Sequence, residues 1–370
     1  MGRALALLAV AALVAGGIVA GVALANGSAG NGSRAHSTTS TTVPAATGTG
    51  PNATTTSTVV SRAHQPVTFA FGGDVHFEGS LRSRAIADPS GLLAPIAPVL
   101  SSADVAVVNL ETAVTDRGTP ASKQYVFRAP VAGLRALRAA GVDVATMANN
   151  HGEDYGPVGL EDSLAASRAT GFPVIGIGEN AAAAYAPWRT VVRGERVAVI
   201  GATQVIDDSV LTAWTATDTH AGLASAKDVA HLVAAVRDAR ATSDVVAVYV
   251  HWGVEGATCP TPLQRTLAQQ LVDAGADVVV GSHSHRVEGA GRLGNAYVDY
   301  GLGNFVFYNE SGASGVSGVL KVTVQDRRVT AATWTPAQIR SGVPRALTGS
   351  AAAAGVAQWN DRRSCTGLAP

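Results

Sequence analysis

The sequence is poor in cysteine, poor in aromatic residues, and has no acidic residue before position 74. Two cysteines in 370 residues exclude a disulfide-built scaffold and a cysteine-rich zinc module. Aromatic residues make up 5 %, so the core has to be built from Ala, Val and Leu. There is no surplus of either charge: 27 basic and 27 acidic side chains cancel. A nucleic-acid binder usually carries a basic excess, so no nucleic-acid partner is expected. There is no internal repeat. Apolar residues nevertheless reach 47 %, within the globular range.

The missing acids also divide the chain. Arg3 precedes an uncharged, mostly apolar run, Ala4–Ala25, which meets the ~20 residues a membrane span needs. The run ends in Ala23-Leu24-Ala25, a small-x-small cleavage pattern. Residues 1–25 read as a signal peptide or an uncleaved N-terminal membrane anchor. Either one makes the protein extracytoplasmic, secreted or held at the cell membrane. No cysteine lies near the end of the run, which argues against a lipid anchor. Residues 26–65 are Ser, Thr, Gly, Ala and Asn with Arg34 and Arg62 as their only charges. Such a stretch buries too little apolar surface to offset the entropy of ordering and reads as a disordered linker. Folded chemistry is expected over residues 66–348, with a weakly structured tail at 349–370.

Within 66–348, strand and helix signals alternate. Val67–Phe71 has period two and runs into Gly72-Gly73-Asp74; Asp104–Asn109, Val142–Met147, Val245–His251 and Asp277–Gly281 are apolar strands. Helical spacing covers Val131–Ala140, Pro157–Thr170, Lys227–Ala241 and Leu263–Ala274. A hairpin is expected at Gly194-Glu195 and a turn at Asp326-Arg327. Nearly all-apolar strands alternating with helices predict a single α/β domain whose sheets are covered by helices.

The polar residues fall where these strands end: at Asp74, Asn109, Asn149, His251 and Ser282. In open α/β sheets the site lies beyond the carboxyl ends of the strands, so the following loops should converge. Together they supply Asp74, His76, Glu111, Asn150, His151, His251, His283 and His285. Carboxylates and imidazoles on one rim suit Zn, Mn or Fe. Asp74 and His76, and likewise His283 and His285, are spaced to point the same way in an extended segment. With Glu111 as a bridge, two such pairs suit two divalent ions ~3.5–4 Å apart. Asn109 and Asn149 read as turn caps.

The segments FGGDVHFEG, VVNLETAVT, MANNHGEDYG, VYVHWGVE, VVGSHSHRVEG and DYGLGNFVF resemble the CapA family of bacterial capsule and poly-gamma-glutamate synthesis. Through it the chain resembles the calcineurin-like metallophosphoesterases. The resemblance covers Val67 to about Val324. It implies a four-layer α/β/β/α metallophosphoesterase-like sandwich with its site at the strand ends. The metal ligands it implies are Asp74, His76, Glu111, Asn150, His251, His283 and His285. Glu111 stands where phosphoesterases usually have Asp. His151 is the implied general acid or phosphate contact, and Asp154 the residue that orients it. Arg128 and Arg286 are candidate anion contacts. Trp252 and Tyr155 are candidates for a substrate groove or for core packing. Asn304, within Gly301–Phe307, is expected to hydrogen-bond a loop beneath the site.

Two functions follow from this resemblance. One is an exported metal-dependent hydrolase of a phosphoester or related bond, with an envelope polymer or phosphoester as substrate. The other is a non-catalytic component that binds anionic polymer in a capsule or polyglutamate assembly, alongside membrane synthase subunits. For an exported chain with an even cysteine count, a disulfide between Cys259 and Cys365 is expected.

Overall fold

The computed structural model describes residues 63–370. Alternation along the strands sets its layering. In the strand Val67–Val75, Phe69 and Phe71 enter one core, while Ala70 and Val75 enter another. Val105 and Val107 part from Ala106 and Val108 in the same way. In the second sheet, Val245, Ala247 and Tyr249 face the shared core, and Val246, Val248 and Val250 face away. Successive side chains leave opposite faces of a strand. A strand apolar at every position is therefore buried on both faces, which is why these segments read as unbroken runs.

The first sheet has eight strands. At its centre, Val67–Val75, Val105–Leu110, Val144–Thr146 and Val174–Ile175 run parallel. Val316–Gln325, Arg328–Arg340 and Val343–Ala346 extend it antiparallel from the other edge of the first strand. Asn304–Val306 pairs with the end of that strand at Asp74 and Val75. The second sheet has six strands: Ala290–Leu293, Ala296–Asp299, Val278–Ser282, Val245–His251, Glu195–Thr203 and Trp188–Val192, in that spatial order.

Valines and aromatic rings of the two inner faces form the central core. Leu134, Leu137 and Leu160, from helices Val131–Ala139 and Gly156–Thr170, cover the outer face of the first sheet. Leu232, Val236, Leu267 and Leu271, from Val229–Thr242 and Pro262–Ala274, cover the second. The architecture is thus a four-layer α/β/β/α sandwich. Thr261 and Gln264 close a capping box on the last of these helices, and Gly275 ends it at φ 115°.

One backbone contact explains two of the glycine motifs. Asp74 N donates to Gly303 O at 2.9 Å, and a Cβ on Gly73 would lie 1.8 Å from that same carbonyl. Any side chain at position 73 would push Asp74 off the strand that anchors it.

Two expectations are corrected. The segment from 349, expected as a weak tail, is the helix Gly349–Asp361 followed by a 3₁₀ turn, Arg362–Cys365. Trp359 stacks on Trp334 at 5.8 Å and supplies the burial that composition alone did not reveal. The linker was expected to reach Gln65, but His64 Nδ1 lies 2.6 Å from Glu195 Oε2, and Gln65 N donates to Glu195 Oε1 at 3.0 Å. The apolar run Ala4–Ala25 and the rest of the linker, up to Arg62, lie outside the described residues. Among the described residues, no helix is long and apolar enough to cross a membrane.

Candidate metal centre

The carboxyl ends of the two parallel strand sets meet at one rim. Asp74 is in register with Asn109, and His251 with Ser282. Asn109 joins the two sheets: its Nδ2 donates to Asp74 Oδ1 at 2.8 Å and lies 3.1 Å from His251 Nδ1. Asn149 Nδ2 donates to Asn109 Oδ1 at 3.0 Å, and Asn149 Oδ1 accepts from His151 N at 3.0 Å. Asn149 therefore does cap a turn, as its sequence suggests. Asn109 instead acts as an amide bridge between sheets. No local signal marks that role, because its partners lie in other segments.

Two groups of ligand-type atoms share Glu111. Glu111, His251 and His283 form one; Asp74, Glu111 and His285 form the other. Within each group the atoms lie within 4.8 Å of one another. Glu111 is fully buried, and neither carboxylate oxygen has a hydrogen-bond partner among the described residues. Its Oε1 lies 3.5 Å from His251 Nε2 and 4.0 Å from His285 Nε2. Asn150 Oδ1 sits 2.8 Å from His251 Nε2.

A buried carboxylate without a donor costs several kcal/mol unless a cation or a proton satisfies it. Burial, then the Asp74 charge, accordingly push Glu111 well above the usual carboxylate range. Burial, then neighbouring imidazoles, hold His251 well below its ordinary value and His283 at about 3. Both are neutral nitrogen donors. Burial also opposes the charge on His285, but Glu111 and Asp74 overcome it and hold it at about 10. Orphaned carboxylate oxygens facing neutral imidazoles are a donor set that fits divalent cations of the Mn, Fe or Zn type.

The backbone is bent to make this arrangement. His283 has φ 98° and His285 φ 54°, values that side chains other than glycine rarely adopt. The segment is therefore not extended, as its x-spacing suggested; the tight bend directs both rings to the rim. His76 is the second departure. It lies outside both ligand groups. Its Nδ1 accepts from Glu78 N at 3.0 Å, and its Nε2 lies 3.3 Å from Tyr308 N. Its ring is packed between Phe127 and Phe307, at 4.8 and 4.0 Å.

His151 and Asp154 form a coupled pair, with Nδ1 2.6 Å from Asp154 Oδ2. His151 Nε2 faces Glu111 Oε1 at 4.0 Å. Asp154 Oδ2 also accepts from Phe127 N at 2.6 Å, and its Oδ1 pairs with Lys123 Nζ at 2.6 Å. Lys123 also donates to the Asn150 carbonyl and lies over the Trp214 ring. Sequence reasoning missed Lys123, because Ser122-Lys123-Gln124 reads as a solvated loop. Asn304 Oδ1 meets His285 Nδ1 at 2.8 Å and its Nδ2 donates to Ser314 O.

A cavity of about 330 Å³ opens at this rim, lined by Tyr125, Phe127, His151, Glu255, Arg286 and Tyr308 among others. Arg286 thus stands at the site, with its guanidinium donating to Ser314 Oγ at 2.6 Å. The other three groove candidates do not line it. Arg128 stacks over the Tyr155 ring at 5.2 Å, so the two satisfy each other. Trp252 is fully buried among the helices of the second sheet and donates Nε1–H to Tyr300 O at 2.9 Å; of its two readings, core packing is the right one. Beside the site, the loop after His251 carries Cys259, joined to Cys365 in a disulfide with Cα atoms 5.8 Å apart.

The family model described as bacterial capsule synthesis protein PGA_cap matches residues 68–309. The chain is similar to the capsule biosynthesis protein CapA of Bacillus anthracis, 30 % identical over 260 residues, which cover 68 % of this chain and 62 % of that protein. It is also similar to the PGA biosynthesis protein CapA of Bacillus subtilis (strain 168), 29 % identical over 215 residues, 57 % of this chain and 55 % of that one. The chain therefore matches little more than half the length of these relatives. Among solved structures, a 5'-nucleotidase from Candida albicans SC5314 aligns over 76 % of this chain and 54 % of its own, at 12 % identity and TM-score 0.42.

Proposed function

We propose, since the chain belongs to the bacterial capsule synthesis protein PGA_cap family, that it is an extracytoplasmic metal-dependent hydrolase of a phosphoester or related bond in envelope polymer metabolism. The observation that carries this reading is Glu111: a buried carboxylate with no hydrogen-bond partner among the described residues, shared by two groups of imidazole and carboxylate donors. Asp74, Glu111 and His285 would hold one divalent ion; Glu111, His251 and His283, with Asn150 beside them, would hold a second. Such ions supply Lewis-acid polarisation of a phosphoryl oxygen and activation of water.

The chain's own groups do the rest. Asp154 keeps the His151 ring turned so that Nε2 faces the rim, where it can deliver a proton to a leaving oxygen. Lys123 anchors Asp154 in this position through their ion pair. Arg286 lines the cavity as an anion contact, while Phe127 and the Tyr308 ring narrow it. The disulfide supports an oxidising, extracytoplasmic compartment. The apolar N-terminal run would act there as leader or anchor.

The test is metal analysis of the purified protein together with hydrolysis of bis(p-nitrophenyl) phosphate. About two ions per chain and measurable turnover are expected, and Glu111→Gln should abolish both. A wild-type protein that takes up no Mn, Fe or Zn refutes the reading. One observation favours a second reading, a non-catalytic polymer-binding component of the assembly: both ring nitrogens of His76 face backbone N–H groups instead of either ligand group. His76→Asn separates the two readings. Two ions and turnover in wild type and variant alike support the hydrolase with the two ligand groups above, loss of one ion adds His76 to the ligands, and a single ion without turnover in both supports the binding component.

A further inference from the structure

The C-terminal segment, beyond the residues matched by the family model, touches both ligand-bearing loops of the second sheet. Its helix Gly349–Asp361 packs on Arg328–Arg340, and its turn Arg362–Cys365 packs on Ala290–Leu293, the strand that follows His283-Ser284-His285. Arg363 Nε donates to Ala290 O at 2.7 Å, and Arg292 N to Ala369 O at 2.7 Å. The crossing is close enough to demand bare backbone: a Cβ on Gly289 would lie 2.3 Å from Arg362 O, and one on Gly291 2.4 Å from Ala369 O. Three residues after His285, Glu288 is buried, as is Asp299 on the neighbouring strand.

The same segment is tied to the other loop. Cys365 is bonded to Cys259, in the stretch between His251 and the helix Pro262–Ala274. Arg265 reinforces the tie, donating to Thr366 O at 3.0 Å and to Cys365 O at 2.6 Å. In this stretch Gly256 N donates to Ser284 O at 2.8 Å, and Glu255 and Gly256 line the cavity. One strap therefore spans the loop after His251 and the stretch after His285, and the two loops also touch each other through Gly256 and Ser284. Cys259 is exposed and open to thiol exchange.

We propose that residues 349–370 are a thiol-sensitive positioning strap for the metal centre, with Cys259–Cys365 and the Arg363–Ala290 hydrogen bond as its two fastenings. Closed, the strap fixes the spacing of His251 from His283 and His285; opened by a dithiol, it lets the two loops drift apart and weakens metal binding. In the opening step the dithiol is oxidised to a disulfide, and the sulfurs of Cys259 and Cys365 take up two electrons and two protons. The inference rests on the reading of Glu111, His251, His283 and His285 as metal ligands.

The experiment is titration of the full-length oxidised protein with Mn²⁺ by calorimetry, then of the same protein after reduction with tris(carboxyethyl)phosphine, which leaves as the phosphine oxide. No binding by the oxidised protein refutes the metal reading, and with it this one. If the oxidised protein binds, reduction should weaken the affinity about tenfold, the usual scale for loss of ligand-supporting contacts. Far-UV circular dichroism should be unchanged, and reoxidation should restore the affinity. Cys259→Ser/Cys365→Ser should match the reduced protein. Arg363→Met should weaken binding in the oxidised protein, and Arg363→Lys should recover most of the loss. Equal affinity before and after reduction overturns the proposal. So does loss of the fold on reduction, because the bond would then hold the molecule together and not the site. Equal behaviour of the Lys and Met variants removes Arg363 from it.

Discussion

At the scale of single residues, the site separates into groups that bind and groups that move a proton. His151 belongs to the second kind: its Nδ1 is taken by Asp154, and its Nε2 looks across 4.0 Å at Glu111. His151→Asn should keep the metal content of the wild type and slow hydrolysis by ~10²–10⁴-fold, the usual worth of a general acid. Loss of metal in that variant, read by elemental analysis, would show that His151 is a ligand. The proton inventory gives a second expectation. His285 is held at about 10 by the charges of Glu111 and Asp74, so its ring carries a proton at neutral pH, while burial pushes Glu111 above the usual carboxylate range. A cation entering between them must displace protons. Metal uptake should therefore release protons, and affinity should fall as pH is lowered from 10 towards 6. Calorimetry in buffers of different ionisation enthalpy reads this directly; uptake without proton release contradicts the assignment.

At the scale of elements, the central strands were legible because burial on both faces leaves nothing for a polar residue to do until the strand ends. The loop residues Asp74, Glu111, His251, His283 and His285 followed from the same logic. What was illegible depended on distant partners. Trp252 follows a ligand-type histidine yet points into the helix layer, because its indole finds Tyr300 O there. Arg128 and Tyr155 look like site residues until their stacking is seen. The terminal helix has an Ala-rich sequence with little amphipathic pattern, and only the Trp359–Trp334 contact shows what it packs on. The Gly73–Gly303 contact gives the prediction at this scale. Gly73→Ala places a methyl on a backbone oxygen that cannot yield, at a cost of about 3 kcal/mol or more. Thermal unfolding should show a Tm lowered by roughly 5–10 °C, together with weakened metal binding through Asp74. An unchanged Tm would mean that the first strand can shift without harm.

At the scale of the whole molecule, trypsin should cut the full-length protein at Arg34 or Arg62, the basic residues of the Ser/Thr-rich stretch, and spare the chain from about Ala63 onwards. Mass spectrometry of the resistant fragment would locate its start; protection of both arginines would show that the stretch is folded. The topology of the first sheet has a further consequence. The strand at its centre, Val67–Val75, is the first made, yet one of its two neighbours, Val316–Gln325, is among the last: Val67 lies opposite Val324. A ribosome delivers the near partner, Val105–Leu110, soon after the first strand and the far one much later. Until then the first strand presents an open row of amides and carbonyls, the kind of edge that recruits the wrong chain. Closing the sheet means joining segments from opposite ends of the polypeptide, a slow kind of search. The first strand thus waits half-zipped while most of the fold is made, and that edge is covered only when Val316–Gln325 arrives.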